Sequence, residues 1–579
     1  MKKTLLLGVA LLFTMAINAQ VIFSGISPAA IQGNYGMTYG EPGSSWGNPD
    51  LGIPANSVED ELALYETDST ACTAATNAAA LAGKIAVVYR ADCEFGDKVM
   101  NAEAAGAIAC VIINNVPGAP ISMGAGVNGP SVGIPAVMIS DVDGATLVAE
   151  MQNGPVTVFI GNKLGYFSND LGLKISSILR PTYSSIPSAI ATDGTEYQVD
   201  VEAYGFNYGS LDQTDVTLNA IITLNGSEVY NETSAPVSID SGDSALFSLP
   251  SFAPATWTEG YYSLEYYVTS DVSDDYDFDN TLESDFVISD SKLAYANIDE
   301  TTMMPSELSG LRPIDASGNA IPHFSSCITF QDENASRLAP QSISFSASKA
   351  TSATDPSLIG EELLIQVYTW DDVFVDLNDP GFTNPIGSYA EIMLGDYEYT
   401  ADIPGEVVTA SFDNNDIVAL QDNQRYLFCV NTFNAELYFG HDASRDYTYN
   451  RDYYVQPLFP IEANPGSFNP NGFGPETVPG VTVSFIDANT VNLKNEKLAI
   501  KMNAYPSPAS DILNVDFNSN EVNKVELINM MGQTVVSQNV SNNVETTTMD
   551  VAGVENGVYI VKVYLDNNMT HTMQVVVNH

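Results

Sequence analysis

The side chains that carry most hydrolytic chemistry are scarce in this sequence. Four histidines occur among 579 residues, His323, His441, His571 and His579. None lies in an HExxH segment or next to a His-x-Asp partner, so the usual zinc-peptidase ligand sets are missing. The serine of Gly242-Asp-Ser-Ala245 falls where a turn is expected, and its module holds no histidine to act as base; it reads as a turn residue, and no catalytic residue is assigned. Asp275, Asp277 and Asp279, followed by Asn280, place oxygen donors at alternate positions, a spacing that can wrap a hard cation such as Ca²⁺. The glycine and the twelfth-position glutamate of an EF-hand loop are absent, so a solvated acidic turn is the competing reading. Ca²⁺ is the only cofactor the sequence suggests. His441-Asp442, expected between strands at 437–439 and 447–449, shares a region with Trp370 and several tyrosines. Aromatic faces suit sugar rings, so this group reads either as a glycan-binding face or as core packing.

Five cysteines are present: Cys72, Cys93, Cys110, Cys327 and Cys429. In an oxidising compartment the expected pairs are Cys72 with Cys93 and Cys327 with Cys429. Cys110 sits in the apolar run 107–113 and reads as a buried, unpaired thiol. No two cysteines have CxxC spacing, so a zinc site fails on ligand count.

Charge narrows the partners. Acidic residues outnumber basic ones 72 to 20, a net charge of −52, and the resulting field repels phosphate backbones and anionic headgroups. Nucleic acid is therefore not an expected partner. Residues 1–19 combine Met1-Lys2-Lys3, an apolar run and a small-residue end at Ala19-Gln20, which is the pattern of a secretory signal peptide. No later stretch is apolar for the length of a transmembrane segment.

The elements that would position these residues begin at 20–163, where strand and helix patterns mix. The apolar runs 84–89, 109–113 and 134–139 suit strands buried on both faces, while 94–105 and 143–154 carry helical spacing. Within them, Gly83-Lys84-Ile85, Tyr89-Arg90-Ala91-Asp92-Cys93-Glu94-Phe95, Lys98-Val99, Ala102-Glu103-Ala104-Ala105-Gly106-Ala107, Ile134-Pro135 and Asp143-Gly144 closely resemble the protease-associated domain. Pro28 to Tyr35 and Ala71-Cys72 are similar to the form of that domain inserted in secreted bacterial metallopeptidases. The resemblance implies a non-catalytic α+β domain that modulates access of protein substrates or mediates interaction.

From 168 to 290 the helical spacing gives way to alternation, with Asn225-Gly226 as a strong hairpin signal. This suits an immunoglobulin-like sandwich, and its acidic turn at 267–280 resembles adhesion modules of the CARDB kind. Residues 291–490 suit a larger sandwich or jelly roll, and 491–502 a lysine-bearing linker. At 503–579, three blocks (505–515, 525–533 and 557–563) resemble the type A C-terminal sorting domain of the type IX secretion system. That resemblance implies passage through the periplasm to the cell surface or medium, with the secretion machinery and its sorting enzyme as partners.

The expected fold is thus mainly β and multidomain: an α+β protease-associated domain, immunoglobulin-like and jelly-roll-like sandwiches, and a small C-terminal sandwich. The expected function is a non-catalytic secreted or surface protein that binds a protein, peptide or glycan. The alternative is an exported hydrolase, a degenerate metallopeptidase or glycoside hydrolase, with its site in 291–490, where Asp and Glu are plentiful enough for a carboxylate pair.

Overall fold

The computed structural model describes residues 21–490 and 502–579, apart from positions 43–44, 67, 116–119, 307, 315–319, 351–352, 354, 372–373, 375–378, 380–388, 414–416, 465–466, 518–521, 531, 541–543, 545 and 566–569. The signal segment 1–19 and the linker expected at 491–502, save Met502, lie outside the described residues.

The N-terminal domain is built on an eight-stranded mixed sheet. Its centre is four parallel strands, Val58–Leu64, Ile85–Tyr89, Ala109–Ile113 and Ala136–Ile139. Alternation sorts their side chains. Ala86, Val88, Cys110, Ile112 and Met138 pack with Val99 and Ala102 of helix Phe95–Ala104, whereas Val87, Val111, Ile113 and Val137 pack with Leu147 of helix Asp141–Met151. A sheet covered on both faces requires the continuous apolar runs seen in the sequence. Ser140 starts the second helix, accepting from the Asp143 amide at 3.0 Å and donating to the Asp143 carboxylate at 2.7 Å. Gly106, at φ +88°, ends the first helix in the left-handed region and turns the chain toward the next strand. Cys72 and Cys93 are bonded with Cα atoms 5.7 Å apart, and Cys110 is a buried free thiol whose pKa burial pushes up to about 12.

The expected boundary at 290 falls inside one continuous sheet. A 13-stranded sheet runs from the hairpin Gln213–Leu224 and Ser227–Thr233, through Gly260–Thr269, Thr281–Ser289, Ser185–Pro187 and Lys292–Ala294, to Thr482–Asp487, Leu338–Lys349 and Leu437–Asp442. Lys292–Ala294 is the splice, pairing with Ser185 on one side and with Thr482–Asp487 on the other. Against this backing sheet lie a three-stranded sheet containing Val199–Asn207 and Ser244–Phe252, and a six-stranded sheet. A single apolar cluster runs from Leu171 to Phe485 through both sandwiches. Polar ties cross the junction too: Arg337 grips Glu196 with Nη2 at 2.7 Å and Nη1 at 3.1 Å, and Arg180 reaches Asp446 and Asn450. Asn225 and Gly226, at φ 48° and 80°, form the expected hairpin turn. Where a strand was expected at 447–449, helix Thr448–Tyr454 begins instead. Tyr449 and Asn450 are needed on one turn of backbone to reach Glu202 and Arg180 across the junction, and those tertiary bonds outweigh the β preference of tyrosine.

The C-terminal residues form a separate small sandwich. A three-stranded sheet (Met502–Tyr505, Ile512–Phe517, Thr546–Asp550) faces a four-stranded one (Val522–Asn529, Thr534–Asn539, Gly557–Leu565, Thr570–Val577). Its core, including Leu513, Val525, Val561 and Val575, is distinct from that of the central sandwiches.

Candidate functional site

The six-stranded sheet orders Tyr389–Glu398, Glu362–Trp370, Arg425–Thr432, Phe324–Phe330, Ile461–Asn464 and Ser467–Asn469. Side chains directly opposed across neighbouring strands share a face. Leu363, Ile365, Val367, Phe428, Val430 and Ile328 point into the inter-sheet core. The outward face carries one row of Leu364, Asn431, Ser325 and Glu462, and beside it a row of Gln366, Cys429 and Cys327. Further along come Glu391, Tyr368 and Leu427, then Tyr389, Trp370 and Arg425. Cys327 and Cys429 are bonded across this face, with Cα atoms 4.1 Å apart.

This outer face is polar yet enclosed. Gln366, Asn431 and Ser325 are 0% exposed, Trp370 1%, His323 4% and Glu462 5%. Asn431 Nδ2 donates to Gln366 Oε1 at 3.1 Å, and Gln366 Nε2 donates to Glu391 Oε2 at 2.7 Å. The same Nε2 lies 3.4 Å from Gln574 Oε1 of the C-terminal sandwich. Ser325 Oγ, Asn431 Oδ1, Trp370 Nε1 and Glu391 Oε1 are shielded from solvent and meet no hydrogen-bond partner among the described residues. Aromatic rings close one side: Phe468 lies 4.5 Å from Tyr389 and 5.6 Å from Tyr368, and the Arg425 guanidinium covers Trp370 at 5.4 Å. Glu391 keeps part of its surface exposed, but burial of its carboxyl pushes the pKa up to about 8 against the lowering effect of the Gln366 bond. His323, 3.7 Å from Glu462 and stacked on Phe433, is held down to about 4 by burial and is neutral near pH 7.

The structure separates residues that the sequence grouped. Trp370 lies on this outer face, whereas His441 lies in the core between the sheets, on strand Leu437–Asp442 itself. His441 Nε2 is 3.2 Å from Ser326 Oγ, which is nucleophile–base spacing. The other ring nitrogen meets the Phe439 carbonyl at 3.0 Å instead of a carboxylate, and Ser326 and His441 are 1% and 3% exposed. Burial lowers His441 to about 4. The neighbouring Asp442 instead accepts the Asn297 and Ser444 amides, each at 2.7 Å. Ser244 begins the strand Ser244–Phe252 immediately after a turn in which Gly242 adopts φ 77°.

The acidic turn is likewise divided. Asp275 Oδ2 accepts the Asn169 amide at 2.9 Å, Asp277 is exposed, and Asn280 donates to Asp274 at 3.2 Å. Asp279 turns inward to Lys163, whose ammonium lies 2.7 Å from Asp279 Oδ2 and 2.6 Å from Asp170 Oδ1. Lys163 is fully buried, under the rings of Tyr208 at 4.3 Å and Tyr276 at 4.6 Å. Burial pushes the Asp170 carboxyl upward, opposed by that ammonium. The Tyr276 hydroxyl donates to Asn34, so this knot ties the N-terminal domain to the first sandwich. Among the described residues, no cluster of three or more His, Cys, Asp or Glu side chains has metal-holding geometry.

A family model described as PA domain matches residues 58–147, which span the four parallel strands, helix Phe95–Ala104 and the first part of helix Asp141–Met151. The chain carries a PA domain. A second model, the secretion system C-terminal sorting domain, matches 503–578 and marks the chain for export to the cell surface or secretion. Among curated relatives, Leucine aminopeptidase 2 of Arthroderma otae is 33% identical over 116 residues, 20% of this chain and 22% of that protein. Aminopeptidase YwaD of Bacillus subtilis is 35% identical over 108 residues, 19% of this chain and 22% of that protein. The chain thus spans about a fifth of the length of these curated relatives, and the likeness is confined to the PA region. Among solved structures, a zinc aminopeptidase from Bacillus subtilis is 23% identical with a TM-score of 0.18, covering 25% of this chain and 31% of that one. The CARDB domain of a Pyrococcus furiosus protein, in complex with di-metal ions, is 18% identical with a TM-score of 0.16, covering 21% of this chain and 90% of that one. No helix among the described residues is long and apolar enough to cross a membrane.

Sequence reasoning missed Gln366, Asn431, Ser325, Glu391 and Glu462. The one signal was Gln366 itself, a carboxamide inside the otherwise apolar run Leu363-Leu-Ile-Gln-Val-Tyr368. A polar residue there needs a partner on whichever face it occupies.

Proposed function

We propose that the exported chain acts by binding and not by catalysis, with the PA domain engaging a protein or peptide and the central sandwiches engaging a peptide or glycan. The observation that carries this reading is the Ser326–His441 contact. It has the spacing of a nucleophile and its base, but it is sealed in the inter-sheet core at 1% and 3% exposure and lacks an orienting carboxylate. A base held neutral by burial and out of reach of substrate contributes packing and two hydrogen bonds. The PA match supports the reading too, because the aminopeptidase relatives share that region alone. Incubating the chain from residue 20 to 501 with casein, peptide libraries and glycosidase substrates tests it. Binding without turnover is expected, and turnover that survives repurification and is abolished by one substitution contradicts it.

One observation favours the hydrolase reading. Glu391, held near 8, has the protonation state of a general acid at neutral pH, and Glu462 shares its sheet face. The two strands that carry them stand four positions apart in the sheet, roughly 19 Å on a flat sheet at about 4.8 Å per strand. Sheet curvature shortens that span, but paired glycosidase carboxylates stand only about 5–10 Å apart. Abolition of turnover by Glu391→Gln is the result that would promote this reading.

A further inference from the structure

Building on that binding role, we propose that the outer face of the six-stranded sheet is a site for a neutral polyhydroxylated ligand, a glycan, capped in this chain by Gln574 of the C-terminal sandwich. The outward face of an antiparallel sandwich ordinarily meets water. Here it is as enclosed as the core, yet it presents carboxamides and a hydroxyl: Gln366, Asn431 and Ser325 are all 0% exposed. Burying such groups is unfavourable unless each finds a partner, and Ser325 Oγ, Asn431 Oδ1, Trp370 Nε1 and Glu391 Oε1 find none among the described residues.

The unsatisfied set fits sugar chemistry. A sugar hydroxyl both donates and accepts, so vicinal hydroxyls can complete an array that mixes acceptors such as Asn431 Oδ1 with donors such as Trp370 Nε1. The rings of Tyr368, Tyr389 and Phe468, packed 4.5–5.6 Å from one another, give the apolar wall that the C–H side of a pyranose requires. The groups that flank Gln366 and Asn431 suit a neutral ligand: Glu391 holds its proton and His323 is neutral near pH 7, while the Arg425 guanidinium is engaged over Trp370 and the Glu462 carboxyl stands beside His323.

The cap is specific in place. Gln574 Oε1 stands 3.4 Å from Gln366 Nε2, where it takes the acceptor position that a ligand hydroxyl would fill. It comes from strand Thr570–Val577 of a sandwich with its own core, while the sheet face belongs to a core that runs from Leu171 to Phe485. Loss of the C-terminal sandwich therefore removes this cap from Gln366 without removing any residue of the sheet.

The test compares three proteins on an array of N-acetylglucosamine-, mannose- and galactose-terminated oligosaccharides, with the strongest hit followed by calorimetry. They are the chain from residue 20, the same chain with Gln574→Arg, and the chain ending at 501. The truncated and Gln574→Arg forms are expected to bind about tenfold or more tightly than the intact chain. Gln366→Glu, which keeps the side-chain shape, is expected to weaken binding by the truncated form by about tenfold, with little change in melting temperature. Glycan binding by none of the folded forms overturns the site, as does a crystal of the truncated form soaked with the hit that shows only ordered water on this face. Equal affinity with and without the C-terminal sandwich overturns the cap. Turnover of the bound glycan would defeat the non-catalytic reading and leave the site standing, so the two failures are distinguishable.

Discussion

Replacing Lys163 by Met isolates the physics of the knot between the PA domain and the first sandwich. The ammonium is fully buried, within 2.7 Å of two carboxylates, Asp170 and Asp279, that are themselves 0% and 6% exposed. Removing one partner of such a cluster strands the others without compensation, a loss of about 3–5 kcal/mol. At roughly 2–4 °C per kcal/mol for a unit of this size, the melting transition should fall by about 10 °C. The damage should be local: hydrogen exchange should accelerate at 163–171 and 274–280, where Leu171 and Tyr276 donate backbone bonds to Asp274. Asp170→Asn in the same chain removes one of the two stranded carboxyls and should restore about half of the loss. Scanning calorimetry and exchange mass spectrometry on the two variants decide it. A Lys163→Met chain that melts within about 1 °C of the parent, with unchanged exchange at both segments, would refute the account of the knot.

Glu391 sets a pH dependence. Its folded-state pKa is raised to about 8, so the folded chain holds a proton that the unfolded chain has already released. Its contribution to stability is thus full below the ordinary carboxylate range and is lost as pH rises toward 8. The melting temperature of Glu391→Gln should fall less than that of the parent between pH 5 and 8, and parallel curves would contradict the assignment. Opening the Cys327–Cys429 bond by the double Ala substitution frees a closure spanning 102 residues and should cost about 4.7 kcal/mol by loop entropy, read from denaturant midpoints. An unchanged midpoint would show that the bond contributes nothing. Adding Ca²⁺ against a chelator should shift the parent's melting by no more than about 1 °C, because Lys163 already neutralises Asp279; a larger shift would place a cation at the 274–280 turn. Deleting 503–579 should leave the remaining chain in the periplasm, as fractionation would show, and normal surface delivery would contradict the sorting assignment.

Much of the architecture was legible because the local signals agree with the tertiary fold. The runs at 85–89 and 109–113 are apolar at every position because helices cover both faces of that sheet, and Asn225-Gly226 adopts the positive φ values its composition favours. The continuity of the central sheet was not legible. Lys292–Ala294 is only three residues long, and its pairing with Thr482–Asp487 is a contact nearly 190 positions away that no local pattern encodes. The site was hidden for a similar reason. Asn431, Ser325 and Glu462 lie on three strands far apart in sequence and form one row only through register. The alternation at Asp275, Asp277 and Asp279 does not reveal where each side chain goes, because a turn sends successive side chains in different directions and Lys163 meets the inward one.

The central claim is that this exported chain binds without catalysing. The most direct measurement places the purified 20–501 chain with the peptide library and oligosaccharides it retains on an array, then follows both by mass spectrometry over a day. Retention of intact ligand, weakened by Gln366→Glu for the glycans and unaffected by Ser326→Ala, is the predicted result. Cleaved ligand that accumulates with time and vanishes in Glu391→Gln or Ser326→Ala would contradict it.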